Sequence, residues 1–249
     1  FDQIWCASRF IETALRAHTE RPVHLLRQPV WTPQICPPPR AHRTSLRILT
    51  FFDYTSFVSR KNPMGSVLAF QAAFAGRTDV ELVIKSRGVD TAGARKSFAA
   101  LQAKDPRISV IDATLGRAEM DALIASCDAF LTLHRAEGFG LGGAEALARG
   151  KAVISTDFSG TTDFITPETG FPVAYRLRAV EAQEYLLPEN ASWAEPDLDS
   201  AVEMLRQVYD DPDEARRRTA NGFRLLQERF SFDATGAEIA RLLRESGAL

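Results

Sequence analysis

The sequence predicts an α/β protein built on a doubly wound parallel sheet. From about residue 45 onwards, short apolar runs suited to strands alternate with helical patterns, which is typical of a parallel sheet covered on both faces. Residues 128–160 read as strand, glycine-dense turn, helix and strand, the layout of a βαβ unit. With 45% hydrophobic and 25% charged residues, the 249 residues can form one large domain, or one domain plus a fragment.

Composition and charge exclude several kinds of function. The formal net charge of -2 offers no basic field for a nucleic acid. No apolar run approaches transmembrane length, and the first residues lack a secretory signal pattern. The three cysteines and four histidines show no metal-ligand spacing, and an odd number of cysteines suits a reducing compartment. We therefore expect a cytoplasmic protein, with peripheral attachment to the inner membrane as an alternative, and no metal or bound cofactor.

The first 44 residues are expected to lie outside the main domain. Strand patterns at 2–8 and 22–26 flank a helical pattern at 9–18, and Ser8 is a candidate cap for that helix. Residues 1–31 are therefore interpreted as a small βαβ piece. Residues 32–44 contain four prolines and little apolar pattern, so they are predicted to be a linker.

Residues 45–229 are predicted to form the main domain, and residues 230–249 a terminal helix. The predicted strands cover residues 47–52, 80–84, 108–111, 129–133 and 152–154, and the predicted helices cover 63–75, 92–103, 119–126, 143–149, 198–209, 213–228 and 232–244. Residues 175–193 show no regular pattern and are interpreted as an irregular insert. Ligands of parallel sheets bind beyond the carboxyl ends of the strands, so we expect the site there.

The glycine-dense turn is the strongest candidate for a binding site. Gly138, Gly140, Gly142 and Gly143 lie between the carboxyl end of one predicted strand and the amino end of a helix. Unpaired backbone N–H groups and the helix dipole favour an anion at such a place, for example a diphosphate.

Two carboxylates bracket the turn, Glu137 on the strand side and Glu145 on the helix, with seven residues between them. A carboxylate pair can perform acid/base hydrolysis. Carboxylates also accept hydrogen bonds from vicinal hydroxyls, so one could hold a ribose and the other a sugar ring. The plainer alternative is that Glu145 is favoured by the helix dipole and Glu137 is solvated charge.

The segment EGFGLGGAEALARGKAVI at 137–154 resembles the donor-site segment of family-4, group 1 glycosyltransferases and contains their E-x7-E motif. The resemblance implies a Rossmann-like GT-B donor domain that uses a nucleotide-diphosphate sugar and retains its configuration. It also implies that Glu137 contacts the donor hexose and Glu145 the ribose. The turn between them would surround the diphosphate, and the backbone of Gly140 and Leu141 would face it. The candidates in this turn are Gly138, Phe139, Gly140, Leu141 and Gly142.

Arg60 and Lys61 form a second candidate group, next to the predicted start of the helix at 63–75. Two cations at a helix amino terminus oppose the dipole, and such a local misfit often marks function. Family-4 transferases place a lysine here that reaches the diphosphate, which makes Lys61 the candidate, with Arg60 beside it. Solvated surface charge is the alternative.

The chain departs from its relatives at two strand ends. The first strand of the main domain ends in Phe-Phe-Asp53 instead of Gly-Arg, and the second reads Ile-Lys85-Ser-Arg-Gly instead of Val-Gly-x-Gly. The diphosphate contacts are therefore expected to be shared among Arg60, Lys61 and Lys85. A solvated strand-end lysine is the alternative for Lys85.

Other residues near the predicted site have weaker signals. His134 could orient donor or acceptor groups, or be a satisfied strand-end residue. By resemblance, the backbone at Ile111 and Asp112 would meet the base. Ser159 is predicted to cap another helix. The Trp-Ala-Glu-Pro sequence at 193–196 is reminiscent of a subgroup of bacterial transferases.

The expected function is the donor-binding half of a retaining glycosyltransferase, with a remnant of its acceptor half. Its expected partners are a nucleotide-sugar, a glycan or lipid-linked acceptor, and the missing amino-terminal domain. No residue is a candidate nucleophile; in the family's usual mechanism the donor diphosphate assists the acceptor hydroxyl, and cations and helix ends stabilise the leaving group. Two alternatives remain: a GT-B sugar-nucleotide epimerase and a non-catalytic nucleotide-sugar-binding module.

Overall fold

The computed structural model describes residues 2–40, 45–90 and 93–247, and it begins with a small βαβ unit. Strands β1 (Ile4–Cys6) and β2 (Val23–Leu25) pair in parallel, and helix α1 (Arg9–Arg16) connects them. Ser8 caps α1, as predicted, by accepting a hydrogen bond from the Ile11 N–H. Residues 32–40 have no regular secondary structure. The rest of the predicted linker, residues 41–44, lies outside the described residues.

A six-stranded sheet forms the centre of the main domain. Its strands are β3 (Leu46–Asp53), β4 (Val80–Arg87), β5 (Ile108–Asp112), β6 (Ala129–Thr132), β7 (Ala152–Thr156) and β8 (Phe171–Val173). They lie in the order β5-β4-β3-β6-β7-β8, and every neighbouring pair is parallel. The first of these strands along the chain, β3, is third in this order. Strands β4 and β5 extend the sheet to one edge, and β6, β7 and β8 then fill the other side of β3. The predicted doubly wound parallel sheet is confirmed.

Helices cover both faces of this sheet. They are α2 (Val58–Lys61), α3 (Pro63–Ala73), α4 (Ala94–Lys104), α5 (Arg117–Ala125), α6 (Leu141–Ala148), α7 (Leu198–Asp210), α8 (Pro212–Arg229) and α9 (Phe232–Glu245). Successive strand residues point to opposite faces. Ile48 therefore packs in the core that contains Phe70 and Leu205, whereas Leu49 packs in the core that contains Leu147 and Leu226.

The predicted irregular insert is wrong, because residues 175–193 include ordered strand structure. Strands β9 (Tyr175–Ala179) and β10 (Ser192–Pro196) form an antiparallel pair separate from the main sheet, here called the β9–β10 hairpin. Most of β9 is exposed, and Arg178 and Glu195 pair across the hairpin. An exposed strand of this kind has no need for apolar alternation, so the sequence lacked the usual strand signal.

Two smaller features also differ from expectation. Helix α6 begins at Leu141, two residues earlier than predicted. Residues Ser159–Asp163 form a short 3-10 helix, and Ser159 belongs to it at a φ of 68° instead of capping it. The predicted start of α4 at residue 92 lies outside the described residues. None of the described helices is both long and apolar enough to cross a membrane.

The carboxy-terminal helix returns to the first part of the chain. The Thr235 hydroxyl donates to the Arg27 carbonyl at 3.1 Å, and the Val30 N–H donates to the Phe230 carbonyl at 2.7 Å. Phe230 itself is fully buried beside Phe164 and Phe139. These contacts tie α9 to the segment that follows β2.

Candidate functional site

A cavity of about 510 Å³ opens at the carboxyl edge of the central sheet, where a parallel sheet is expected to bind its ligand. This volume is within the range of small-molecule sites. The cavity brings together nine of the predicted site residues: Lys61, Lys85, His134, Glu137, Phe139, Gly140, Leu141, Gly142 and Glu145. Whether they bind a donor stays a prediction.

The amino terminus of α6 forms one wall of the cavity. Gly140 precedes it at a φ of 90°, and a Cβ on Gly140 would lie 2.3 Å from Thr161 Cγ2. A Cβ on Gly142 would lie 2.7 Å from the Phe51 ring. Only glycine fits these two places. No side chain caps α6 among the described residues, so its first N–H groups are available to a ligand.

Glu137 lies at the mouth of this turn and is held by two cations. Its carboxylate forms an ion pair with Lys61 through a short hydrogen bond, and the Arg60 guanidinium lies 3.4 Å away. The Glu137 N–H donates to Ser159 Oγ at 2.8 Å. Burial disfavours the ionised form, but Lys61, His134 and Arg60 together hold the pKa of Glu137 below its ordinary value. Glu137 is therefore a buried carboxylate that stays charged at neutral pH.

The predicted conflict between these cations and a helix dipole is wrong. Arg60 and Lys61 end the short helix α2, where positive charge is favourable, and α3 begins only at Pro63. Asn62 separates the two helices at a φ of 48°, and its side chain caps α3 and donates to the Leu133 carbonyl at 2.9 Å. What places the cations at the site is this break between helices. Arg60 itself does not line the cavity; it donates to the Ala136 carbonyl at 2.8 Å.

Glu145 faces the cavity from the second turn of α6 and has its own cation. Its carboxylate accepts from Arg117 at 2.8 Å, at the start of α5. The sequence analysis missed Arg117, because 28 residues separate it from Glu145. A usable signal was its position in the first turn of the neighbouring helix, since the amino ends of α5 and α6 both meet the carboxyl edge of the sheet.

Lys85 is buried, which excludes the alternative of a solvated strand-end lysine. Its side chain borders the cavity with 6% exposure, and it makes no hydrogen bond or ion pair with any residue that the structure describes. Burial, and secondarily the charge of Arg87, lowers the pKa of Lys85. Asp53 does not neutralise it by contact, because that carboxylate is paired with Arg87 at 2.9 Å. The cavity is therefore bordered by a buried lysine that no described residue pairs.

His134 is fully buried at the back of the cavity. Its Nε2 lies 3.2 Å from the Phe158 carbonyl, and its Nδ1 lies 3.4 Å from the Thr132 hydroxyl. Burial lowers the pKa of His134, so the ring is neutral near pH 7. With both nitrogens engaged by the protein, His134 supports the neighbouring turn more directly than it could contact a ligand.

Three other predicted residues lie outside the cavity lining. The Gly138 carbonyl accepts from the Ser8 hydroxyl at 2.5 Å, and Ile111 packs in the core under α5. Asp112 is paired with Arg95 and accepts from Ser86. Phe139 borders the cavity, but its ring is buried against Phe164 and Phe230.

Apolar residues that the sequence analysis did not select complete the cavity. The rings of Phe51 and Phe130 pack at 4.8 Å between centroids, and Leu115 and Met120 lie on the same side of the site as Glu145. Such residues have no sequence signal, because core and ligand-facing apolar side chains look alike. The described residues contain no group of three or more His, Cys, Asp or Glu side chains able to hold a metal ion.

Comparison with solved structures identifies the architecture as that of GT-B glycosyltransferases. Sucrose-phosphate synthase from Thermosynechococcus elongatus aligns with a TM-score of 0.73 and 18% identity over 99% of this chain and 59% of that one. Anabaena Alr3699/HepE, solved with UDP and glucose, aligns at 0.72 and 14% over 98% of this chain and 63% of that one. The present chain thus spans less than two thirds of either protein.

A third structure corresponds to the larger part of this chain. The C-terminal domain of a group 1 family glycosyl transferase, LpcC from Francisella tularensis, aligns with a TM-score of 0.60 and 17% identity over 78% of this chain and 95% of that one. The family model described as "Family 4 Glycosyltransferase in conflict systems" matches residues 8–239, so the chain belongs to this family. No curated protein matches the chain.

Proposed function

We propose that this chain binds a nucleotide-diphosphate sugar in the cavity and supplies the donor half of a retaining glycosyltransferase. The observation that carries the proposal is the meeting of an uncapped helix amino terminus with Lys61 and Lys85 in one cavity. This combination favours an anion, and one of the two lysines has no bonding partner among the described residues. Glu137 and Glu145 border the same cavity and provide acceptors for sugar hydroxyls.

Lys61 and Glu137 exchange partners when the donor binds. In the unliganded chain each satisfies the other through their ion pair. A diphosphate at the α6 terminus would draw the Lys61 ammonium towards it, leaving a Glu137 oxygen free to accept from a hexose hydroxyl. Arg60 remains beside Glu137 and keeps its carboxylate charged. The exchange replaces one charge-assisted hydrogen bond with two, so it favours the complete donor over the free diphosphate.

The nucleoside fits the other end of the cavity. Glu145 would accept from the ribose hydroxyls, with Arg117 holding its carboxylate in place. Leu115 and Met120 offer an apolar wall for the base on the same side. Lys85 borders the same cavity from β4. Its side chain would bind the diphosphate, or the neighbouring oxygen atoms that face the sugar.

Catalysis in this proposal is positioning and electrostatic stabilisation. The bond between the sugar C1 and the diphosphate oxygen breaks, and the acceptor oxygen bonds to C1 on the same face. The acceptor proton passes to the departing diphosphate oxygen. Lys61, Lys85 and the α6 terminus stabilise the charge on the leaving group, and the step uses no metal or other cofactor. Glu137 keeps the sugar ring in a reactive orientation.

The domain assignment belongs to the same proposal. Residues 1–31 would be a remnant of the acceptor domain, 32–44 the linker, 45–229 the donor domain and 230–249 the helix that returns to the acceptor side. The contacts of Thr235 with Arg27 and of Phe230 with Val30 support this arrangement. A glycan or lipid-linked acceptor would be bound mainly by the amino-terminal domain, of which this chain holds only the end.

A thermal-shift panel tests the proposal. UDP, GDP and their sugar derivatives are added to the folded chain, with uridine and guanosine as controls that lack phosphate. A ligand at a hundred times its dissociation constant should add about 2.7 kcal/mol to the free energy of unfolding, which raises the melting temperature by roughly 5–10 °C at this chain length. No shift with any nucleoside diphosphate in a folded sample would refute the donor site.

Product analysis then separates the enzyme from its alternatives. A transferase consumes the nucleotide-sugar only when an acceptor is supplied, and it releases the nucleoside diphosphate. A sugar-nucleotide epimerase converts the donor without acceptor, and a binding module leaves it unchanged. Because this chain spans less than two thirds of sucrose-phosphate synthase and of HepE, the measurement is also made on the longest natural protein that contains it.

A further inference from the structure

The β9–β10 hairpin contacts the segments that carry Lys61 and Glu137. The proposed function gives this hairpin no role. Its two strands pair only with each other and not with the main sheet. An isolated two-stranded hairpin is marginally stable in water. Contacts with the rest of the domain must therefore hold it. One of them is the packing of Tyr175 on Phe158, and two others reach segments of the candidate site.

The first contact is a chain of ion pairs that ends at Arg135. The Arg135 guanidinium donates to both oxygens of Glu195 on β10, at 2.8 and 2.9 Å. Glu195 also accepts from Arg178 on β9 at 2.7 Å, and Arg178 in turn donates to both oxygens of Glu184 at 2.6 Å. The buried Trp193 ring lies 5.7 Å from the Arg135 guanidinium and 5.3 Å from that of Arg178. Bidentate pairs of this kind fix orientation as well as distance.

Arg135 connects this chain of charges to helix α2. Its N–H donates to the Arg60 carbonyl at 2.8 Å, and its guanidinium also donates to the Ser59 carbonyl at 2.5 Å. From the other side, the Arg135 carbonyl accepts from the Ala194 N–H at 3.0 Å. One residue of the loop that carries Glu137 is thus bonded both to the hairpin and to the helix that carries Lys61.

The second contact reaches the other end of α2. Tyr185, in the connection between β9 and β10, packs its ring at 4.7 Å from the ring of Phe57. Phe57 precedes α2 at a φ of 62°, a backbone conformation that residues other than glycine rarely adopt. Packing against the hairpin helps to hold this turn, so the hairpin touches α2 at its start and, through Arg135, at its end.

We infer that the β9–β10 hairpin is a positioning brace that keeps α2 against the loop at 134–137, and that Glu195 is its central positioning residue. Glu195 orients Arg135, Arg135 holds the Ser59 and Arg60 carbonyls, and the lysine that follows is thereby kept at the border of the cavity. The inference rests on the proposed function for its ligand consequence, but not for its structural one. Neither Glu195 nor Arg178 borders the cavity.

Hydrogen exchange on the unliganded chain tests the structural part. Glu195→Gln keeps the shape of the side chain but removes the charge that orients two arginines. We expect faster amide exchange in peptides covering 57–62 and 134–137, by at least threefold, with α8 unchanged. Glu238→Gln is the matched control, because Glu238 forms the same bidentate pair with Arg241 on α9. Unchanged exchange in the two segments would overturn the brace whatever any ligand does.

Nucleotide binding tests the ligand part. Calorimetry compares UDP and GDP with UMP and GMP for the unaltered chain, Glu195→Gln and Glu238→Gln. We expect Glu195→Gln to weaken diphosphate binding by about three- to tenfold and to leave monophosphate binding unchanged, because the brace acts through Lys61. Equal affinities in all three proteins would overturn the inference, and so would equal weakening of both ligand classes. If the unaltered chain binds no diphosphate, the proposed function fails, and the exchange result still decides the brace.

Discussion

The carboxyl and amino edges of the central sheet each hold a buried lysine, and the two lysines differ in their bonding partners. At the carboxyl edge, Lys85 is 6% exposed, borders the cavity and has no bonding partner among the described residues. At the amino edge, Lys151 is 4% exposed and donates to the Ala125 carbonyl at 2.9 Å. Burial lowers the pKa of both side chains. What separates them is the partner: the Ala125 carbonyl accepts from Lys151, whereas no described residue accepts from Lys85.

The charged residues around the two lysines also differ between the amino and carboxyl edges. At the amino edge, Asp128 accepts from the Arg47 N–H at 2.8 Å and from the Arg40 guanidinium at 2.9 Å. At the carboxyl edge, Lys61 and Arg60 share the single carboxylate of Glu137. Since an unsatisfied buried group costs free energy, it persists where function uses it. The amino edge should therefore control stability, and the carboxyl edge should control binding.

The largest expected effect is on stability at the amino edge. Asp128→Ala removes the carboxylate that accepts from the half-buried Arg40 guanidinium and from the Arg47 N–H, and Arg40 keeps only the neutral Ser45 carbonyl among the described residues. The free energy of unfolding should therefore fall by about 3 kcal/mol. Denaturant titration measures it. The control is Asp213→Ala, whose exposed pair with Arg216 should contribute less than about 1 kcal/mol. Equal losses in the two variants would contradict the comparison.

The next effect is on binding at the carboxyl edge. Lys61→Ala should weaken nucleoside diphosphate binding by roughly 1.5–3 kcal/mol, because a charge-assisted hydrogen bond to phosphate is lost. Binding of the bare nucleoside should change little. Calorimetry with UDP and uridine, or GDP and guanosine, gives both values. If both ligands weaken equally, Lys61 does not contact phosphate.

The two carboxylates should separate the nucleotide from the sugar. Glu145→Gln should weaken UDP or GDP itself by about 1.5 kcal/mol, because the ribose belongs to the nucleotide. Glu137→Gln should leave free nucleotide binding nearly intact and weaken only the nucleotide-sugar. Calorimetry with nucleotide and nucleotide-sugar compares the two variants. Damage to free nucleotide binding by Glu137→Gln would mean that the roles are assigned wrongly, and no effect from either change would favour plain surface charge.

Substitution of the two buried lysines, Lys85 and Lys151, tests the comparison between the two edges most directly. Lys85→Met removes a buried amine that has no bonding partner among the described residues, so it should stabilise the fold by about 1 kcal/mol while weakening nucleotide binding. Lys151→Met leaves the Ala125 carbonyl without its donor, so it should destabilise the fold by about 1 kcal/mol and leave binding unchanged. Thermal unfolding and calorimetry supply the two readouts. The same sign of stability change in both variants would end the distinction between the edges.

The smallest effect is a pH dependence from His134. Burial lowers the pKa of this imidazole in the folded state, so the unfolded chain binds its proton first. The stability that this group contributes is complete above the unfolded pKa of about 6.5 and declines as pH falls below it. Between pH 6.5 and 5.5 the loss should be roughly 0.5–1 kcal/mol. His134→Asn should flatten this slope, and equal slopes in the two proteins would exclude His134 as its source.

Much of the architecture could be predicted from local patterns. Five of the six strands of the main sheet were predicted from their apolar runs, whereas the three-residue strand β8 was not. The turn after β6 is marked by glycines that the structure requires at Gly140 and Gly142. The β9–β10 hairpin could not be predicted this way, because its strands are stabilised by charges from distant segments. The separation of α2 from α3 was also missed, since the left-handed backbone at Asn62 looks like an ordinary cap.

By itself, the sequence determined the fold class, the strand–turn–helix at the site and the two carboxylates that border it, because periodicity and glycine spacing are local properties. Only the tertiary structure decided which charges are paired. Arg117 forms an ion pair with Glu145, and Lys61 forms one with Glu137. Lys85 forms no hydrogen bond or ion pair with a described residue. The reason is physical: the free energy of a charge depends on its burial and on partners that lie far away along the chain, and those are set only when the strands and helices pack.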